Sequence, residues 1–315
     1  MIRKVYCIGE LLIDFIAENQ GSDLSKANIY TKKAGGAPAN VACAIAKLGG
    51  KSSFVGSVGE DPFGSFLLNV LDANGVDISL AQRYKTFTTM AFVSIAEDGE
   101  RDFVFSRGAD KELIYDPSLK KDFKESIVHL GAATALLGGA LEKAYGHYFF
   151  DALTEKAFIS FDPNFRGDLW KDNKDVFIKK CMPYVEKSNL CKFSLEEAQL
   201  LSGEENLDEA CDVLHEIGAN TITITLGNKG TLVSTRKFRE TVPSIKVNPV
   251  DTTGAGDAFI GCLLQQIATS HTIDPALEDK SLLTQMVQKA NKAGAITTTN
   301  FGAIESMPDK KQMYD

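Results

Sequence analysis

No stretch of the chain approaches the eighteen or so consecutive apolar residues that a membrane-spanning helix needs. The N-terminal run Met1-Ile2-Arg3-Lys4-Val5-Tyr6-Cys7-Ile8-Gly9 goes straight into a strand-like segment. It has neither the apolar h-region nor the small-residue cleavage site of a secretory signal. Cysteine is sparse: six residues, at 7, 43, 181, 191, 211 and 262, with no Cys-x-x-Cys pair. Four of them fall in apolar stretches, which reads as reduced core thiols of a cytoplasmic protein. The four histidines show no metal-ligand spacing. Positive charge is also short: 34 Lys and Arg face 42 Asp and Glu, a formal net charge of −8. That balance argues against nucleic acid or an anionic membrane as a partner. A polyanionic ligand would have to be met locally, by backbone amides, a divalent cation or a few placed Arg and Lys.

Two common nucleotide-binding patterns are missing as well. Gly49-Gly50-Lys51-Ser52 looks like the tail of a P-loop, but position 45 is Ile and the segment follows a helical pattern instead of preceding one. It reads as a helix stop. No G-x-G-x-x-G follows a strand with an acidic residue downstream, so dinucleotide binding has no support.

What the chain does have is ordinary globular material: 315 residues, 44% hydrophobic and 24% charged, enough for a large core. Strand and helix patterns alternate from end to end, the mark of βαβ units on a largely parallel sheet. Strands are expected at 5–9, 53–58, 127–130, 158–162, 190–193 and 221–225. A helix is expected at 38–48, with Pro38 at its start, Val41, Ala44, Ile45 and Leu48 on one face and Gly49 as its stop. Another opens at Asp61-Pro62 and closes near Gly75. One segment breaks the rhythm: residues 90–96 and 101–105 flank Asp98-Gly99, a strong hairpin signal. Such a hairpin must cap the sheet edge or project as a flap.

The most specific feature is Asp251-Thr252-Thr253-Gly254-Ala255-Gly256-Asp257, whose chance occurrence is on the order of 10⁻⁹ per position. A β-rich stretch, 241–250, precedes it, and residues 258–267 read as a buried helix. Gly254, Ala255 and Gly256 thus sit where a loop becomes a helix. Small residues there let backbone N–H groups converge, and the helix dipole adds positive potential, which together make an anion hole. Asp257 either complements the dipole or takes a proton from an attacking hydroxyl. Upstream, Gly35-Gly36-Ala37-Pro38-Ala39-Asn40-Val41-Ala42 has the glycines for close backbone approach to a ligand and, in Asn40, a donor and acceptor for a hydroxyl. A Gly-rich turn with a capping Asn is the plainer alternative.

These two segments, about two hundred residues apart, resemble the two signatures of the ribokinase-like (PfkB) sugar kinases, in the family's order. The resemblance spans nearly the whole chain. It implies a ribokinase-like three-layer α/β sandwich, a single kinase domain over 1–315, with a small β-sheet lid inserted at about 12–33 and 87–107. The implied reaction is ATP-dependent phosphorylation of a hydroxymethyl group on a small sugar, with Asp257 as base and the Gly254–Gly256 amides holding the phosphoryl group. Asp14 matches the family's sugar-hydroxyl ligand; a solvated loop Asp is the alternative. The run from Phe103 to Asp110 resembles the lid strand of fructokinases, where an aromatic and an arginine, here Phe103 and Arg107, approach the sugar. Phe161-Asp162-Pro163-Asn164-Phe165-Arg166 with Leu169-Trp170 resembles fructokinases and 2-keto-3-deoxygluconate kinases, and Arg166 would pair with an anion or make a surface salt bridge.

Further matches concern the nucleotide and the metals. Glu197 stands where the family organises Mg²⁺ through water, although Ser194 replaces the family's Asn; a helix-dipole role fits Glu197 equally. Thr225, Gly227 and Gly230 match the nucleotide loop. Asn291 and Gly302-Ala303 match segments bordering adenine. Carbonyls around Asp251, Thr253 and the 297–306 loop resemble a monovalent-cation (K⁺) site. Fructose is the first substrate expected, with 2-keto-3-deoxygluconate or a nucleoside as family alternatives. A non-catalytic sugar-binding regulator on the same scaffold is the alternative of another class. A homodimer through the lid is the expected assembly.

Overall fold

The first strand sends Val5 and Cys7 into one hydrophobic cluster and Tyr6 and Ile8 into another. Successive side chains of a strand face opposite sides, so a strand that is apolar throughout needs cover on both faces. The computed structural model describes residues 2–18, 21, 23–95 and 101–314, the side chains of residues 95, 101–103 and 314 excepted. In chain order its strands are β1 (Lys4–Ile8), β2 (Leu12–Ala17), β3 (Tyr30–Gly35), β4 (Lys51–Val55), β5 (Ser57–Gly59), β6 (Gln82–Tyr84), β7 (Met90–Ile95), β8 (Arg101–Ser106), β9 (Ile127–Gly131), β10 (Phe158–Asp162), β11 (Leu190–Ser194), β12 (Thr221–Thr225), β13 (Thr231–Ser234) and β14 (Arg239–Val242).

Eight of these form one sheet in the order β14-β13-β12-β11-β10-β9-β1-β4. Neighbours from β4 to β12 are parallel, and β13 and β14 close one edge antiparallel. Helices Ala37–Lys47, Ala255–Thr269 and Lys280–Thr297 pack their apolar residues on one face. Helices Gly139–Thr154, Lys174–Lys187, Leu195–Ser202 and Leu207–Ile217 cover the other. The result is a three-layer α/β/α sandwich. Each fully buried Leu, Ile or Phe in these layers contributes roughly 1.5–3 kcal/mol.

The strand order reverses at β1: the chain passes from β1 to β4 on one side, then returns to β9 on the other. Open α/β sheets bind ligands at the carboxyl ends of the strands flanking such a switch point. A second sheet, β3-β2-β7-β8, stands apart from the first. In it β2 and β7 run parallel, while β2–β3 and β7–β8 are antiparallel. Phe15 and Phe92 stack within it at 5.3 Å between ring centroids. The hairpin read from the sequence is the β7–β8 pair; its turn, Asp98-Gly99, lies outside the described residues.

Two expected elements differ. The strand expected at 53–58 is two strands, β4 and β5, parted at Gly56. The β-rich stretch expected to reach residue 250 ends with β14 at Val242. Pro243 and Pro249 have no N–H for a ladder, and residues 243–249 form no regular element. All six cysteines are buried free thiols. Among the described residues no helix is long and apolar enough to cross a membrane.

Candidate active site

The helix Ala255–Thr269 starts from Gly254, which caps it in the left-handed region at φ 78°. A Cβ there would also fall 2.6 Å from the Cβ of Ala303, so glycine is required twice over. The loop before it is stapled by Asp251. One carboxylate oxygen accepts from the Thr253 N–H (2.9 Å) and hydroxyl (2.6 Å), and the other accepts from the Gly302 N–H (3.0 Å). The N–H groups of Val250 and Asp251 both donate to the Thr298 carbonyl. The first turn of any helix leaves N–H groups without intrahelical acceptors, and the dipole makes that end positive. Here the turn opens into a cleft of about 450 Å³ at the carboxyl ends of the central strands.

Asp257 lies in that first turn and is only 9% exposed. Its Oδ2 accepts a 2.8 Å hydrogen bond from Asn40 Nδ2. Asn40 belongs to the first turn of the helix Ala37–Lys47, so two helix N-termini meet at this pair. The Asn40 Oδ1 is buried and has no hydrogen-bond partner among the described residues. Burial pushes the Asp257 carboxyl above the ordinary carboxylate range, while the Asn40 hydrogen bond and the charges of Lys192 and Arg166 hold it down. A carboxylate so placed accepts a proton from a hydroxyl bound at its side. The bare Asn40 oxygen can receive a hydrogen bond from the same ligand.

Asp14, Gly36, Asn40, Arg166, Glu197, Thr225, Asp251, Thr253, Gly254, Gly256 and Asp257 all line this cleft. Gly35 sits against the Asp14 carboxylate, and Ala255 follows Gly254 with its N–H on the Thr252 carbonyl. Gly227 and Gly230 form the turn between β12 and β13, next to Thr225. Three residues stand differently from expectation. Arg107 does not line the cleft: its Nε and Nη2 both donate to Asp110 Oδ2, at 3.1 and 2.7 Å. Asn291 is buried away from it, with Nδ2 donating to the Val242 carbonyl and Oδ1 accepting from the Thr231 hydroxyl, so its amide ties the last helix layer to β13 and β14. Glu197 has both oxygens engaged, one by the Phe165 N–H and one by the Ser194 N–H, each at 2.7 Å. With Ser194 Oγ accepting from the Glu197 N–H, it completes a capping box. The side chain of Phe103 lies outside the described residues.

Two cleft-lining groups, Glu10 and Lys192, and the buried Asp162 beside Lys192 were given no role by sequence. Glu10, just past β1, is buried with Oε1 accepting from the Ala37 N–H at 3.1 Å, and burial pushes its carboxyl up to about 7. Asp162, ending β10, accepts from the Asn164 N–H and pairs with Lys192 of β11, Nζ to Oδ2 3.0 Å. A charged residue inside an apolar segment was the available signal, since charges are almost never fully buried without a partner.

The comparisons with known proteins follow the same line. Residues 2–310 match the model of the pfkB family of carbohydrate kinases. Fructokinase-1 of Zea mays is 37% identical, over 98% of this chain and 96% of the maize protein. A crystal structure of fructokinase with bound ATP from Xylella fastidiosa superposes with a TM-score of 0.88 at 28% identity, covering 100% of this chain and 98% of that one. A fructokinase double mutant from Vibrio cholerae O395, in its fructose-, ADP- and potassium-bound form, does so at 0.84 and 29%, covering 99% and 97%. The three-layer architecture is therefore the ribokinase-like one. With both signature segments meeting at one pair, Asn40 and Asp257, and the family match running almost end to end, the chain belongs to the pfkB family of carbohydrate kinases, phosphotransferases that act on an alcohol group.

Proposed function

We propose that this enzyme transfers the γ-phosphoryl group of ATP to a hydroxymethyl group of fructose. The observation that carries the reading is the buried Asn40–Asp257 pair at the mouth of the helix Ala255–Thr269. Asp257 takes the hydroxyl proton as the sugar oxygen attacks phosphorus and the bond to the ADP oxygen breaks. The amides at Gly254 and Gly256 meet the charge on the phosphoryl oxygens, while that of Ala255 is held by the Thr252 carbonyl. Asp14 and Asn40 hold sugar hydroxyls. The sheet β3-β2-β7-β8 is the lid, excluding water that would compete as acceptor. Its outer strands among the described residues, β3 and β8, suit a second copy of the chain.

Bound with the nucleotide, Mg²⁺ would neutralise phosphate charge. Ser194 and Glu197 are committed to the capping box, so they are poorly placed to organise it. A K⁺ ion at 251–253 and 297–306 would rest on backbone carbonyls, because the Asp251 carboxylate is already the staple between those loops. Among the sugars, a carboxylated one such as 2-keto-3-deoxygluconate asks for cations beyond Arg166, and Arg107 is occupied by Asp110.

The test is initial ADP formation at saturating MgATP with K⁺ present, against fructose, ribose, 2-keto-3-deoxygluconate and adenosine. Fructose is expected to lead in kcat/KM by at least about tenfold, roughly 1.4 kcal/mol of transition-state binding. A lead for adenosine overturns the lid, a lead for 2-keto-3-deoxygluconate returns Arg166 to a substrate carboxylate, and ADP formation with none of them leaves a binder.

A further inference from the structure

Lys192 is an anomaly of the core. It is the third residue of β11, between Cys191 and Phe193, both fully buried, and is itself 6% exposed. Burying an ammonium ion costs several kcal/mol unless it is paired. Asp162 on the neighbouring strand supplies one partner, at 3.0 Å. An ammonium carries three donors, so this pair does not exhaust it. Lys192 also lines the cleft.

Its other neighbour is the helix Ala255–Thr269. A Cβ at Gly256 would lie 3.1 Å from Lys192 Nζ and 3.5 Å from its Cε, so the absence of a side chain at 256 is what lets the ammonium rest against the first helical turn. By itself that placement is unfavourable, because a cation there faces the positive end of the helix dipole. Two sources of positive potential converge on one point of the cleft, which suits an anionic ligand there.

We propose that Lys192 is a catalytic residue: its ammonium contacts the transferring phosphoryl group from beside Gly256, while Asp162 holds it in place. This deepens the kinase reading above and rests on it. As phosphorus moves from the ADP oxygen to the sugar oxygen and the hydroxyl proton passes to Asp257, Lys192 keeps its proton and stabilises the phosphoryl oxygens. Burial pulls its pKa down, but the Asp162, Glu197 and Asp257 carboxylates outweigh that and keep it charged.

A buried ion pair can also be purely structural, and the experiment separates the two roles. Lys192→Met, Asp162→Asn and the double variant are measured for kcat, for KM of both substrates and for folding by circular dichroism. Wild-type activity on fructose in the same assay is the control; its absence speaks against the proposed reaction, not against Lys192. Lys192→Met is expected to lose about 10²–10³-fold in kcat, with KM for fructose within about threefold, and Lys192→Arg to recover part of the loss. Asp162→Asn is expected to stay within about tenfold of wild type. The double variant no longer buries an unpaired carboxylate, and so decides the matter even if Lys192→Met fails to fold. If it is as slow as Lys192→Met is expected to be, while Asp162→Asn works, Lys192 acts on the phosphoryl group. Recovery in the double variant to within about tenfold of wild type, or an Asp162→Asn enzyme as slow as the double, overturns the proposal and leaves a structural pair.

Discussion

Asn40 donates its side-chain amide to the carboxylate of Asp257 and keeps its own carbonyl oxygen bare. One residue thus both aims the base and offers an acceptor to the molecule the base acts on. Asn40→Ala removes both functions. Losing the partner of a buried polar group costs about 1–3 kcal/mol, so kcat/KM for the sugar is expected to fall by roughly 5–150-fold, with KM for ATP nearly unchanged. Because the Asn40 hydrogen bond holds the Asp257 pKa down, the acid limb of the rate profile is also expected to move to higher pH. An equal rise in both KM values makes Asn40 a structural residue instead.

Asp257→Asn keeps the shape of the first helical turn and removes the proton acceptor. The expected loss in kcat is about 10²–10⁴-fold, the usual worth of a general base. Folding and ATP binding, followed by calorimetry, should survive. Retention of more than half the activity returns Asp257 to a dipole-capping role.

Glu10 gives a pH prediction whose sign is fixed by burial. Its carboxyl is pushed from 4.5 up to about 7 in the folded chain, so between these values the native state holds the proton more tightly than the unfolded one. Stability therefore falls as pH rises through that window and levels off above it, by roughly 3 kcal/mol in all at 1.36 kcal/mol per pKa unit. Glu10→Gln removes this component. Thermal melts from pH 5 to 8 are expected to show the variant gaining on wild type as pH rises; a constant difference between the two refutes the assignment.

Ser194→Ala tests whether the segment opening Leu195–Ser202 serves the helix or a metal. Loss of the cap is expected to lower stability by about 1 kcal/mol, read as a drop in Tm. The Mg²⁺ concentration giving half-maximal rate should not move. A large increase in that concentration restores Ser194 and Glu197 to Mg²⁺ organisation.

The readable part of this chain was whatever is local. Short apolar runs alternating with helix patterns announced β9, β10, β11 and β12 within one residue at each end, and Pro38 with Gly49 bounded a helix found at Ala37–Lys47. The anion-hole loop was legible because its residues are contiguous. Lys192 was not, because its meaning lies in Gly256, 64 positions further along the sequence. Arg107 was legible as a cation but not as the partner of Asp110 three residues on, which pairs with it across a tight turn. Ser194-x-x-Glu197 carried a capping-box pattern in plain view. There the competing reading, a metal position, came from family likeness and not from the residues. Asn291 gave no local sign that its amide would be spent on β13 and β14.

The place of β1 has a consequence for how the chain comes into being. Made before the other strands of its sheet, β1 nonetheless lies inside it between β4 and β9, apolar on both faces. It acquires one neighbour when Lys51–Val55 emerges, but the other only with Ile127–Gly131. At roughly 5–20 residues per second of synthesis, its second edge stays unclaimed for about ten seconds. The helix that seals one face, Ala255–Thr269, comes later still. Throughout that interval a bare, β-prone edge is on offer to any passing strand. The hazard lies with the half-made chain, and its duration is set by the sheet order.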